Sequence, residues 1–143
     1  MLSIGLKSHK NKINRLEMSE IHQEINKEGL AVLSTFDETA PVFMMNYLHY
    51  KERVPASGKS GKETYNAYMK AAFPFFQKID AEIIFKGKPV IAIIGASEEK
   101  LWDEVLIVKY ANKKEFFKLM EFKEYPRAIR ASALEDSRLI FCK

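Results

Sequence analysis

The chain has few of the residues that would point to a secreted, metal-binding or membrane protein. Its one cysteine, Cys142, excludes an internal disulfide and favours a reducing compartment. The three histidines, His9, His22 and His49, lack metal-site spacing, so we expect no metal and no other cofactor. No stretch of about eighteen apolar residues is present, and the first residues are too short an apolar run for a signal peptide. We therefore expect a soluble, cytoplasmic protein without a membrane partner.

Charge of one sign is also scarce. The sequence has 23 Lys and Arg against 19 Asp and Glu, a net charge of +4, and the two signs are mixed along most of the chain. The one basic cluster consists of Lys7, Lys10, Lys12 and Arg15. Because no aromatic residues are interleaved with it, we interpret it as a solvated N-terminal segment and expect no nucleic-acid partner.

The chain of 143 residues is 47% hydrophobic, which is enough for one domain with a real core. Val42–Tyr50 is almost continuously apolar and predicts a strand. Ser60 and Glu63 form a capping-box pattern that predicts the start of a helix. Ala81–Phe85 and Val90–Ile94, separated by a turn-prone segment, predict a pair of strands.

The last third of the chain predicts a second strand and helix unit. Trp102–Tyr110 has a buried-strand pattern, and Asn112 is placed to cap the helix that follows. Arg127–Leu134 predicts a short further helix, and Arg138–Cys142 a final strand. The order indicates an α+β protein with a ferredoxin-like βαββαβ sandwich, in which helices cover one face of an antiparallel sheet.

Residues 1–40 are predicted to form an N-terminal helical extension, and residues 41–143 the sandwich domain. Within the extension, Ser19 resembles a helix cap and Gly29 a possible helix end.

The uncovered face of the predicted sheet indicates self-association. Val42–Tyr50 and Val105–Val108 show no alternation of apolar and polar residues, so neither side of the sheet suits water. Burying about 800 Å² of apolar surface per subunit gives a gross gain of about 20 kcal/mol, before the entropy of association is subtracted. We expect a two-fold homodimer.

Four segments together resemble the bacterial family called domain of unknown function 1330. They are Pro41–Lys51, Ser60–Tyr68, Trp102–Tyr110 and Arg130–Leu139. The resemblance implies a dimeric α/β barrel, in a superfamily that also contains small monooxygenases, muconolactone isomerases and haem-degrading enzymes. No activity is established for the family itself. The chain has Ile129 where many relatives have a histidine, which argues against imidazole chemistry at that point.

The candidate site residues follow from polar side chains in apolar surroundings and from this resemblance. Asn46 is the strongly polar residue of an apolar strand, so it must find backbone partners or a ligand. Asp103 and Glu104 should point to opposite faces, and either could act as a general base unless Arg130 or Arg138 neutralises it. The remaining ligand-binding candidates are His49, Tyr65, Tyr68, Trp102 and Arg130.

Two functions remain open from the sequence. The first is a cofactor-independent enzyme of the oxygenase or isomerase type, with a small apolar or aromatic metabolite between sheet and helices. Asn46 would orient the metabolite, Asp103 or Glu104 would handle a proton, and Arg130 would hold an anionic group. The second is a non-catalytic dimeric binding or scaffold module. A pocket lined by Asn46 and an unpaired carboxylate would favour the enzyme.

Overall fold

The structure, a computed structural model, describes residues 24–143. The described elements are α1 (Lys27–Thr35), β1 (Val42–Tyr50), α2 (Gly61–Phe76), β2 (Ala81–Gly87), β3 (Glu104–Tyr110), α3 (Lys113–Glu121), α4 (Arg127–Ala133) and β4 (Leu134–Cys142). The strands pair antiparallel in the order β2-β3-β1-β4. The α+β class is confirmed, and the strand order is consistent with a ferredoxin-like fold.

The helices begin where the sequence places capping residues. Ser60 accepts a hydrogen bond from the Glu63 backbone N–H, and the Glu63 side chain accepts one from the Ser60 N–H, so the predicted capping box is present. At α3, the Asn112 side chain accepts from the Glu115 N–H. These contacts satisfy backbone donors that have no partner inside a helix.

The helices pack on one face of the sheet. In β1, Val42, Met44, Asn46 and Leu48 are buried, while the residues between them are partly exposed. We call the face that carries these four side chains the inner face. The opposite face, which we call the outer face, carries Phe43, Met45, Tyr47 and His49. No described helix has a core contact with the outer face.

Helix α1 belongs to the same layer as the other helices. Leu33 is buried in a cluster with Val42, Met44 and the α3 residues Phe116 and Leu119. The Lys113 ammonium group donates to the carbonyl oxygens of Ser34 at 2.6 Å and Phe36 at 2.5 Å. Because these carbonyls lie at the end of α1, the lysine caps the helix and fixes it to α3.

The structure corrects several predicted boundaries. Val90–Ile94 is not a strand, and residues 88–103 have no regular secondary structure. Strand β3 begins at Glu104 rather than at Trp102, and β4 begins at Leu134 rather than at Arg138. Gly29 lies inside α1 and does not end it. The predicted helix start at Ser19, the basic cluster, His9 and His22 lie outside the described residues.

Candidate functional site

A cavity of about 260 Å³ lies between the inner face of the sheet and helices α2, α3 and α4. This volume is slightly below the usual range for ligand pockets and suits a small molecule. Most of the wall is apolar and includes Met69, Phe76, Leu106, Val108, Phe116 and Leu119. The lining side chains with polar groups are Asn46, Tyr65, Tyr68, Tyr110, Tyr125, Arg127 and Arg130.

Four of the seven lining residues with polar groups are tyrosines. Tyr65 and Tyr68 have ring centroids 5.2 Å apart, and the Tyr68 and Tyr125 hydroxyl groups hydrogen-bond to one another. Burial raises the pKa of Tyr65, Tyr68 and Tyr110 and brings that of Tyr125 to about 12. These phenols are therefore neutral at physiological pH, and they can donate hydrogen bonds to a ligand but cannot act as bases.

Asn46 lies on the sheet side of the cavity, where its amide already has partners. Its Nδ2 donates to the Met44 oxygen at 3.4 Å and the Leu106 oxygen at 3.3 Å, and its Oδ1 accepts from Arg130 at 3.5 Å. All three contacts are long for hydrogen bonds. The amide is thus held in place by the sheet but retains capacity for a closer partner.

Arg127 and Arg130 are the charged residues on the cavity wall within the described part of the chain. Arg127 donates to the carbonyl oxygens of Met120 and Phe122, so its guanidinium caps the end of α3. Arg130 has its hydrogen bond to Asn46, and no carboxylate of residues 24–143 forms an ion pair with it. Arg130 is therefore the cation that an anionic ligand could pair with.

The structure divides the predicted site residues into two groups. Asn46, Tyr65, Tyr68 and Arg130 all line the cavity, as a shared site requires. The other four, which are His49, Trp102, Asp103 and Glu104, do not line it. Among the polar lining residues, the prediction missed Tyr110, Tyr125 and Arg127. The alternation of β3 places Tyr110 on the same face as Leu106, whereas no pattern marks Tyr125, which lies in the connection between α3 and α4.

Three of the four remaining residues meet at the outer face. The His49 ring stacks on Trp102 with centroids 4.2 Å apart, and His49 Nδ1 lies 3.7 Å from Asp103 Oδ2. The Arg138 guanidinium lies 5.4 Å from the Trp102 ring centroid and pairs with Asp136 at 2.6 Å. Asp103 forms no ion pair with Arg130 or Arg138, because Arg138 has Asp136 as its partner and Asp103 Oδ2 accepts a hydrogen bond from the Tyr50 N–H.

Glu104 lies on the inner face, since it is opposite the buried Leu48. Its side chain is 13% exposed, and its buried Oε1 has no hydrogen-bond partner, although Lys86 Nζ is 3.8 Å away. Burial, followed by the charge of Glu104, raises the pKa of Tyr50. The carboxylate thus faces Lys86 and Tyr50 rather than the cavity.

The comparison with known proteins gives a fold and no activity. The solved structures that match include two crystal structures: methylated RPA0582 protein, with a TM-score of 0.75, and RPA0582, a protein of unknown function from Rhodopseudomonas palustris, with a TM-score of 0.73. Each is 29% identical, over 85% of this chain and 93% or 95% of the other. No protein-family model and no curated protein matches the chain. The resemblance to domain of unknown function 1330 is therefore not confirmed.

Two features are absent from residues 24–143: a cluster of metal-ligating side chains and a membrane-spanning helix. In this part of the chain no three histidine, cysteine or acidic side chains are grouped so that they could hold a metal ion. None of the described helices has the length and apolar character needed to cross a membrane.

Proposed function

We propose that this protein binds a small aromatic or apolar metabolite with an anionic group, in the cavity between its sheet and its helices. The observation that carries the proposal is the Arg130 guanidinium, which lies on an otherwise apolar, tyrosine-rich wall and has no carboxylate partner among the described residues. Aromatic rings favour a planar apolar ligand, and a guanidinium in apolar surroundings favours a carboxylate or a similar anion. Asn46 and the tyrosine hydroxyls would orient the ligand.

The composition of the wall favours binding over catalysis. A cofactor-independent reaction of the oxygenase or isomerase type needs a base, and no carboxylate or imidazole of residues 24–143 lines the cavity. Glu104 faces Lys86, and Asp103 lies at the outer face. The wall instead supplies hydrogen-bond donors and a cation. We place the protein in the cytoplasm, where Cys142 stays reduced.

Replacement of Arg130 by methionine is expected to weaken binding of benzoate or phenylacetate by about tenfold to 100-fold, because a charge-assisted hydrogen bond is lost. Titration calorimetry on the wild type and the variant measures the change, with the neutral amides of the same acids as reference ligands. Arg53→Met is the matched control, since Arg53 is exposed and donates to the Gly58 carbonyl oxygen away from the cavity wall. Equal affinity for acids and amides in the wild type would contradict the proposal.

Asn46→Ala separates ligand binding from structural support. If Asn46 orients the ligand, the variant loses affinity while it remains folded. If the variant only lowers the melting temperature, the amide serves the sheet through the Met44 and Leu106 carbonyl oxygens.

We also propose that the protein is a homodimer, a dimeric α/β barrel closed through the outer faces of two sheets. Support comes from the apolar residues of this face, which include Phe43, Met45, Ile107 and Ile140. Ile140 is 46% exposed, and no described helix covers this side. An uncovered apolar face of this kind marks an interface.

Sedimentation equilibrium is expected to give twice the chain mass of 16.5 kDa. Ile140→Lys should increase the dimer dissociation constant by at least about tenfold, because a charge enters the interface. A wild-type protein that stays at the monomer mass up to high micromolar concentration would refute the dimer.

A further inference from the structure

The connection between β2 and β3 exposes four large apolar side chains in succession. We call residues 89–94 the arm. Val90 is 86% exposed, Ile91 60%, Ile93 91% and Ile94 96%. Isolated exposed apolar residues are normal in soluble proteins, but a run of this kind marks a surface that has a partner.

The sequence of the arm makes full exposure costly. Residues 89–97 contain no charged side chain, and four of the six arm residues are β-branched. Short uncharged segments of high strand propensity associate with other strands when they are left in water. Natural proteins interrupt such segments with charges or cover them. The arm has no internal charge, which favours a cover.

The surface next to the arm is also apolar. The arm follows β2, which is an edge strand of the sheet, and only Lys88 separates the two. Ile84 is 47% exposed and Phe85 is 53% exposed. Edge strands present unpaired backbone groups, so this edge can accept a further strand. Exposed apolar side chains therefore extend from the edge strand into the arm.

We propose that the arm binds a second copy of this chain. This inference rests on the proposed homodimer and adds the element that holds it together. In a two-fold dimer each arm packs on the exposed sheet of its partner and lies antiparallel to the partner's arm, so that both copies bury the same surface. A stable interface needs about 800 Å² from each partner, and the arm and the edge strand supply apolar area towards it.

The charges beside the arm fit this arrangement. Lys86 and Lys88 precede the arm, and Glu98 and Glu99 follow it. When two arms run antiparallel about a two-fold axis, the basic end of each lies beside the acidic end of the other. Lys88 and Glu98 are the charged residues nearest to the two ends of the arm. Opposite charges across paired strands fix their direction and register.

The double variant I93D/I94D tests the proposal in the full chain. We expect its dimer dissociation constant to rise by about 100-fold or more, since two isoleucines that the proposed interface buries become charged. Val32→Asp is the matched control, because Val32 is 59% exposed on α1, which belongs to the helical layer on the inner face. Its dissociation constant should equal that of the wild type. Sedimentation equilibrium measures the dissociation constants of the wild type and both variants, and circular dichroism checks that each variant is folded.

The outcomes distinguish the proposal for the arm from the proposal of a homodimer. If I93D/I94D dimerises like the wild type while Ile140→Lys dissociates, the dimer stands and the role of the arm is overturned. If the wild type is a monomer, both are overturned. Hydrogen exchange gives a second measurement: slow exchange in the arm at high protein concentration that becomes fast on dilution supports the proposal, and fast exchange in a saturated dimer contradicts it.

Discussion

Gly61→Ala is expected to destabilise the protein by about 3 kcal/mol or more. A Cβ at Gly61 would lie closer than 3.0 Å to the backbone N and O of Lys51 and to the backbone O of Ala133. These atoms are already hydrogen-bonded, since the Gly61 N–H donates to Lys51 O at 2.8 Å and the Lys51 N–H donates to Ala133 O at 2.9 Å. Backbone atoms in such a junction cannot move aside as a flexible side chain can. Urea unfolding measures the loss.

Gly29→Ala provides the matched control for this substitution. Gly29 is exposed within α1, and the nearest atoms to an added Cβ belong to the Asn26 side chain, from 3.7 Å outwards. Alanine in an exposed helix position is expected to stabilise by about 0.5–1 kcal/mol. If the free energy of unfolding of Gly61→Ala lies within about 1 kcal/mol of the wild-type value, the junction between β1, α2 and α4 is looser than the structure indicates.

The stability of the folded protein is expected to fall steeply when the pH rises above about 10, the ordinary pKa of tyrosine. Burial raises the pKa of Tyr65, Tyr68 and Tyr110 in the folded state, and the unfolded chain ionises first. The stabilisation from neutral phenols is complete below the unfolded pKa and is lost as the pH rises towards the folded pKa. Each tyrosine contributes at most about 1.4 kcal/mol per pH unit in this range, or about 4 kcal/mol for three.

A free energy of unfolding of about 5–15 kcal/mol is typical of a domain. The protein should therefore be fully unfolded within a few pH units above the ordinary pKa of tyrosine. Near-ultraviolet absorbance of tyrosinate and circular dichroism, followed together, are expected to change in one transition. Tyr68→Phe removes one ionising group and should make the dependence on pH less steep. Ionisation of all tyrosines without loss of secondary structure would contradict the buried positions of these rings.

Local sequence signals predicted the elements that local contacts stabilise. Strand β1 has the predicted bounds, Val42–Tyr50, and Ser60 and Asn112 cap the helices that were expected after them. A cap needs only the next three residues to form its hydrogen bond, so the signal is complete within the sequence. The segment Val90–Ile94 shows the limit of this reasoning. Its composition favours a strand, but a strand also needs a neighbour to pair with, and none of the described strands pairs with it.

The candidate site was predicted only in part, because local sequence signals identify single residues but not their neighbours in the folded chain. Asn46 was found because it is polar within an apolar strand, and Arg130 because the family resemblance includes its segment. His49 and Trp102 were placed in the same site, yet they lie on the outer face. His49 is three residues from Asn46, and an odd separation along a strand reverses the direction of the side chain. Tyr125 belongs to the site because the connection after α3 lies against α2, where the Tyr125 hydroxyl contacts that of Tyr68.

The sequence by itself determined the α+β class, the capped helices and the apolar strands of this protein, because side-chain periodicity and capping act over a few residues. Only the tertiary structure decided that four tyrosines and Arg130 share one cavity, that Asp103 and Glu104 stay outside it, and that the segment after β2 is exposed. These facts depend on which faces meet across the sheet, and the contacts involved join residues far apart in the chain. Distances of this kind are set by packing, and packing is not encoded in any single segment.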